Sequence, residues 1–273
     1  MLKKIIFPAI MLILLICAAP KASAAGGVSA RVAGHSLSGA FISDDVTLVP
    51  LRDFCSVLAP DCSISWDAAT RSVTVRSAGL ELTARSGCEY ITANGRYLYV
   101  GKNSFITPQG SFVLPLRSLA KAFDAAVTWN AQSRTAAVTP GSGAIKSGDG
   151  FYSSDAVYWL SRIISAEARG ESLAGQIAVG NVVMNRVASA DYPDTIYGVI
   201  FDRACGVQFT PTANGTIYDT PTESAVIAAR LVLDGADVAG DCLYFLNERI
   251  ATSLWIVRNR TWVTTIGNHS FYV

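Results

Sequence analysis

Residues 160–186 read LSRIISAEARGESLAGQIAVGNVVMNR, and the organisation of the C-terminal half follows from them. Leu160, Ile163, Ile164 and Glu167 fall at i, i+3, i+4 and i+7, the spacing of one helical face. Three of the four are apolar, so this spacing carries the Glu167 carboxylate onto a face built for burial. A buried carboxylate is costly unless it is paired, hydrogen-bonded or protonated. It is therefore either a satisfied structural group or an acid held protonated for chemistry. Arg169 lies about 200° further round the helix and does not neutralise it. Gly170 can break the helix, and Ser172 is the expected N-cap of a second one over Leu173–Ala188. Leu173, Ile177, Gly180, Met184 and Val187 form its apolar stripe, with Gln176 and Asn185 close beside it. Ala174, Ala178 and Gly180 are small enough to let a neighbouring element approach.

The chain has 273 residues, enough for two modest domains. Lys3 and Lys4 precede an apolar run over 5–19, and Ala22-Ser23-Ala24 offers a small-x-small cleavage site. Residues 1–24 thus read as a secretory signal peptide. The run is short for a full span and Pro8 interrupts it, so no stable membrane insertion is expected after cleavage. Without Lys3, Lys4 and Lys21 the chain keeps 19 Lys and Arg against 21 Asp and Glu, a net charge of −2. No basic patch speaks for nucleic acid. Cys55, Cys62, Cys88, Cys205 and Cys242 remain, and export permits disulfides. The expected pairs are Cys205–Cys242 and Cys55–Cys62, leaving Cys88 free. His35 and His269 are the only histidines, too few for a zinc hydrolase site, and no cofactor or metal is expected.

Residues 25–140 hold an internal repeat. Val49-Pro50-Leu51-Arg52 is echoed by Leu114-Pro115-Leu116-Arg117, and Trp66-Asp67-Ala68-Ala69-Thr70-Arg71 by Trp129-Asn130-Ala131-Gln132-Ser133-Arg134. Each copy reads as a strand, a turn at the PLR, a short helix and a hairpin. Segments 80–84 and 97–100 supply further strands. Equivalent placement in both copies reads Trp66 and Trp129 as core residues rather than sugar platforms, and Arg52 and Arg117 as structural hydrogen-bonders. Residues 141–151, rich in glycine and serine, read as a flexible linker to a domain over 152–273.

In that domain Ser153 or Ser154 caps the first helix. Thr220-Pro221-Thr222-Glu223 reads as a capping box with Pro at the first helical position, for a helix stopping at Gly235. Segments 243–246, 262–266 and 270–273 read as strands. Helices followed by a terminal sheet make this half α+β.

Ala166-Glu167-Ala168-Arg169-Gly170-Glu171, Gly175-Gln176-Ile177-Ala178-Val179 and Asn185-Arg186-Val187 resemble the cell-wall hydrolase family of the spore-cortex-lytic enzymes, and ordered matches continue to the C-terminus. The doubled first half resembles the small α+β domain named after the N-terminal domain of copper amine oxidases, here a non-catalytic stalk or binding domain. Two histidines cannot supply that enzyme's copper ligands. The resemblance implies a lysozyme-like α+β fold for the second half, with Glu167 at the position of the catalytic acid. It implies peptidoglycan glycan strands as substrate and a location outside the cell, in the wall or the spore envelope. It points to lytic transglycosylation, in which one Glu acts as acid and then base. A two-carboxylate muramidase using Glu171, and an inactive wall-binding or structural protein, are the alternatives. Gln208, Thr210, Tyr244 and Asn247 sit in segments that the resemblance puts beside the acid, as substrate-binding candidates. Trp255 reads as a sugar platform or a core residue, and His269 as a structural histidine.

Overall fold

The computed structural model describes residues 29–204 and 206–273; the expected signal peptide and Cys205 lie outside the described residues, and Cys242, expected to bond to Cys205, is a buried free thiol. The N-terminal half opens with β1 (Ser29–Val32), β2 (His35–Leu37) and β3 (Phe41–Ser43). The first copy of the repeat follows as β4 (Val46–Pro50), α1 (Leu51–Leu58), β5 (Ser63–Asp67) and β6 (Ser72–Ser77). Next come β7 (Leu80–Arg85), β8 (Tyr90–Ala93), β9 (Arg96–Tyr99) and β10 (Phe105–Ile106). The second copy is β11 (Phe112–Pro115), α2 (Leu116–Ala122), β12 (Ala126–Asn130) and β13 (Thr135–Thr139).

The repeated residues explain the repeated shape. Pro50 and Pro115 sit at φ −62° and −58° with extended ψ, ending a strand and opening a helix at the next residue. Asp67 accepts from the Ala69 N–H at 2.8 Å, and Asn130 from the Ser133 N–H at 2.9 Å, closing equivalent hairpin turns. The two copies meet at equivalent strands: β4 pairs antiparallel with β11, Val49 opposite Leu114 and Leu48 opposite Pro115. The sheets run β10-β11-β4-β3, β12-β13-β1-β2 and β5-β6-β7-β8-β9, with β1 and β13 parallel. The helices fill the core between them, where Phe54 and Phe123 stack at 5.5 Å.

The repeated tryptophans are not core residues. Trp66 is 46% exposed and Trp129 42%. Each lies on a strand that forms one edge of its sheet, β5 and β12, so only one neighbour covers it. Arg52 and Arg117 are exposed too, and neither makes a side-chain hydrogen bond or ion pair among the described residues. Cys55 and Cys62 stand side by side as free thiols, hydrogen-bonded to one another, and Cys88 is free as well.

The second half begins with α3 (Ser154–Ala168), capped by Ser153, and α4 (Leu173–Ala188), capped by Ser172, whose side chain accepts from the Gly175 N–H at 3.3 Å. Short helices α5 (Ile196–Phe201) and α6 (Pro211–Asn214) lead to α7 (Glu223–Leu233). The cap of α7 is Thr222, accepting from the Ala225 N–H; Pro221 therefore precedes the cap instead of opening the helix, two residues from the expected start. Helices α3, α4 and α7 pack on one another. A Cβ on Gly180 would lie 2.8 Å from Val232 Cγ2 and 2.9 Å from Ile164 Cδ1, so the small residue is what lets the three close up. Then come β14 (Tyr244–Leu246), α8 (Trp255–Asn259), β15 (Trp262–Ile266) and β16 (His269–Tyr272), as an antiparallel sheet in the order β14-β16-β15. Helices plus a terminal sheet give the expected α+β domain. Among the described residues no helix is long and apolar enough to cross a membrane.

The linker is held rather than free. Ile145 is buried, its N–H donates to Ala122 O at 2.9 Å, and its carbonyl accepts from Asn94 Nδ2 at 2.8 Å. Beyond it, Asp234 at the C-terminal end of α7 is buried against the first half. It takes both Arg96 Nε, at 3.2 Å, and Nη2, with Lys121 Nζ at 3.1 Å and the Tyr152 hydroxyl donating to it as well. The Phe151 ring lies 3.4 Å beneath the Arg96 guanidinium. Asp234→Ala would leave Arg96 buried without its counter-ion. It should cost about 3–5 kcal/mol in urea unfolding of the whole chain, and split one transition into two if this contact couples the halves.

Candidate active site

Glu167 lies in the last turn of α3, one turn before the break at Gly170. Its face is set by Leu160, Ile163 and Ile164, all fully buried. Among the described residues the Glu167 carboxyl has no hydrogen bond or ion pair within the protein, and burial alone raises its pKa from the ordinary 4.5 to about 7. Arg169, the nearest cation along the chain, turns away: its Nε donates to Ser165 O and its Nη2 lies 3.9 Å from Asp219.

Glu171 is in the opposite condition. Asn268 donates to it twice, from its backbone N–H at 3.1 Å and from Nδ2 at 2.8 Å. Burial works to raise its pKa, but these two donors and nearby His269 outweigh it, and the carboxyl sits below its ordinary range. The His269 ring is buried, with Nδ1 4.0 Å from Glu171 and edge-on to Phe245; burial lowers its pKa against the pull of Glu171. Two glutamates four residues apart thus have separate conditions, one desolvated and bare, one clamped and anionic.

Of the four expected substrate-binding residues, two are brought together. The buried guanidinium of Arg186 donates to Leu243 O at 2.8 Å and to Gln208 Oε1 at 3.5 Å, and lies 5.6 Å from the Tyr244 ring. The Tyr244 hydroxyl also accepts from Arg260 at 2.9 Å. Thr210 is exposed at the start of α6, its side chain unbonded among the described residues. Asn247 accepts from the Arg249 N–H at 3.1 Å and so closes its own turn. No hydrogen bond or ion pair joins any of the four to Glu167 among the described residues. Trp255 is 52% exposed, with Arg260 over its ring at 5.1 Å.

Sequence reasoning missed Arg186 and Asn268. Arg186 belongs to a polar row on α4: Asn181 bonds Ala236 O and the Val238 N–H, and Asn185 bonds the carbonyls of Gly240 and Cys242. This row ties the segment before β14 to α4 and so sets where Tyr244 stands. The signal available was the polar residues Asn181, Asn185 and Arg186 in the second half of a helix whose only other polar residue is Gln176.

Residues 170–272 match the family profile described as Cell Wall Hydrolase. The C-terminal domain belongs to the cell wall hydrolases. Residues 34–138 match the profile described as Copper amine oxidase N-terminal domain. The hydrolase match begins three residues beyond Glu167 and takes in Glu171 and the four binding candidates. The spore cortex-lytic enzyme of Bacillus cereus is 41% identical over 120 residues, which cover 44% of this chain and 45% of that protein. That of Bacillus subtilis strain 168 is 37% identical over 122 residues, 45% of this chain and 39% of that protein. The chain therefore spans less than half the length of these relatives. The solved catalytic domain of the germination-specific lytic transglycosylase SleB from Bacillus anthracis is 38% identical and aligns over 45% of this chain and 97% of that one, with a TM-score of 0.41.

The cell wall hydrolase domain closes its sheet onto the turn between α3 and α4 through one glycine. Gly267 has φ +61°, and a Cβ there would fall 1.9 Å from Glu171 Oε2. Gly267→Ala should break the Asn268 clamp and cost about 1–3 kcal/mol in thermal unfolding. A Tm unchanged from the parent would show that the hairpin position tolerates a side chain.

Proposed function

We propose that this protein cleaves the glycosidic bonds of peptidoglycan as a lytic transglycosylase, with Glu167 as its single acid and base. The observation that carries this is the desolvated, unpaired Glu167 carboxyl in a domain of the cell wall hydrolase family, with a pKa near 7. A protonated carboxyl donates its proton to the glycosidic oxygen as the bond from that oxygen to C1 breaks. The 6-hydroxyl of the same N-acetylmuramic residue then closes on C1 and gives its proton to the Glu167 carboxylate. The acid is regenerated, no water is consumed, and the product ends in a 1,6-anhydro ring. Glu171 does not suit the role of a second carboxylate, because both its oxygens are occupied by Asn268. Spore cortex is the natural candidate substrate, since the named relatives are spore cortex-lytic enzymes. Gln208, Thr210, Tyr244 and Asn247 are proposed to line the glycan path.

Glu167→Gln keeps the size and polarity of the side chain but has no proton to deliver. Turnover on purified cortex peptidoglycan should fall at least about a hundredfold, while Glu171→Gln should fall much less in any variant that remains folded. Mass spectrometry of the parent digest should find anhydro-muramic ends. Reducing ends with equal losses in both variants would establish a two-carboxylate muramidase instead.

The same pKa fixes the pH behaviour. Activity should decline as pH rises through about 7, where Glu167 loses its proton. Stability carries the same sign. The raised pKa means the native state keeps a proton that the unfolded chain releases, so the penalty grows from the ordinary carboxylate range and is complete above about 7. Glu167→Gln should therefore unfold at a higher temperature than the parent at pH 8, with the gap narrowing near pH 4. A gap that is constant across this range would mean that Glu167 titrates normally.

A further inference from the structure

Two pairs of side chains in the N-terminal half remain unexplained by its folding. The copies of the repeat have drifted apart inside, with Phe54 and Cys55 in one matched by Leu119 and Ala120 in the other. Yet Arg52 and Arg117, and Trp66 and Trp129, are the same at the surface, where the arginines make no internal hydrogen bond among the described residues and the indoles are only part covered, Trp66 with the Phe112 ring at 6.1 Å. Leaving a large indole half in water forgoes burial that a core position would gain.

Each pair lines its own groove. Trp66 and Arg52 border a groove of about 370 Å³ together with Pro50, Asp53, Ser111 and Phe112. Trp129 and Arg117 border one of about 990 Å³ together with Pro115, Asn103, Lys121 and Asp237. The shared parts are the proline that ends the strand, the arginine that follows it in the helix, and the tryptophan of the next hairpin. The second groove is larger because residues 234–237, at the end of α7, add a wall from the hydrolase domain.

An exposed indole offers a flat apolar plate suited to the C–H face of a pyranose ring, and a free guanidinium binds a carboxylate through two parallel hydrogen bonds. A plate and a guanidinium on the wall of one groove, twice over, fit a polymer that carries both sugars and carboxylates. We propose that the N-terminal half is a glycan-binding module with two related subsites, each stacking one sugar on Trp66 or Trp129 and holding a nearby carboxylate with Arg52 or Arg117. The choice of peptidoglycan as that glycan rests on the function proposed above. The carboxylate belongs either to the peptide or to a muramic residue that carries none. A strand in the second subsite lies against both domains and is thereby fixed relative to the hydrolase.

The test uses the full chain carrying Glu167→Gln, so that wall is bound with little cleavage. Pelleting with purified peptidoglycan sacculi gives one binding curve, and indole fluorescence with peptide-free glycan strands gives a second. Trp66→Ala with Trp129→Ala should weaken binding to sacculi by about tenfold or more, with far-ultraviolet circular dichroism unchanged. Arg52→Gln with Arg117→Gln, both at exposed positions, should weaken it likewise and guards against a tryptophan variant that misfolds. Loss confined to sacculi assigns the carboxylate to the peptide, since a muramic residue that carries a peptide has its own carboxyl in an amide bond; loss on both shows that the free carboxylate of a peptide-free muramic residue can take the same place. Neutral chitin oligosaccharides should compete poorly. Parent-like pelleting by folded double variants, or competition by chitin equal to that of acidic strands, would overturn the proposal. If Glu167→Gln proved still active, the catalytic assignment would fall, while binding measured on ice for short times would still decide the subsites.

Discussion

The buried carboxylate of Asp234 joins the two halves of this protein. It ends α7 in the hydrolase domain, yet its charge is met by Arg96 and Lys121 of the first half and by Tyr152, just ahead of α3. Burying an anion is tolerable only where donors converge on it, and here the donors come from three separate parts of the chain. The halves must therefore be set against each other before the charge is satisfied. Tyr90, Tyr97 and Tyr99 of the first half pack against the hydrolase core around the same contact. The segment that read as a flexible linker is instead bonded to Ala122 and Asn94 of the first half.

Within the hydrolase domain, one sequence motif gives two carboxylates opposite fates. Both stand near the end of α3, but Glu167 faces the apolar stripe while Glu171 falls past Gly170 and meets Asn268. The desolvated group retains its proton near neutrality and the clamped group does not, so acid and anion are separated by surroundings rather than by residue type. Residue spacing carried the first of these facts. The second depends on a contact across 97 positions of chain, which no local pattern contains.

What was legible was what local chemistry decides. Ser153 and Ser172 cap the helices they were expected to cap, the strands of the terminal sheet fall within a residue or two, and the PLR repeat yields strand, helix and hairpin in both copies. Thr222 rather than Thr220 caps α7: the capping box favours Thr220, but both threonines can accept at an N-cap, and packing against α3 favours Thr222, whose N–H donates to Ser165 Oγ. Trp66 and Trp129 misled for a different reason. Repetition shows that a position matters without showing which way it faces, and both strands turned out to be sheet edges. Gln208 and Tyr244 were named as binding candidates, whereas Arg186, which meets both, stood in the sequence only as part of the Asn185-Arg186-Val187 match.

The antiparallel pairing of β4 with β11 has a bearing on ancestry. Equivalent residues sit symmetrically across it, Pro50 opposite Val113 and Leu48 opposite Pro115, so a local two-fold axis passes between Val49 and Leu114. A single copy of the unit would present β4 as an open edge whose natural complement is another β4. Two identical half-modules could associate through this isologous contact as a homodimer. Gene duplication and fusion would then join partners that already fitted, turning an intermolecular seam into an internal one and freeing each groove to diverge from its twin.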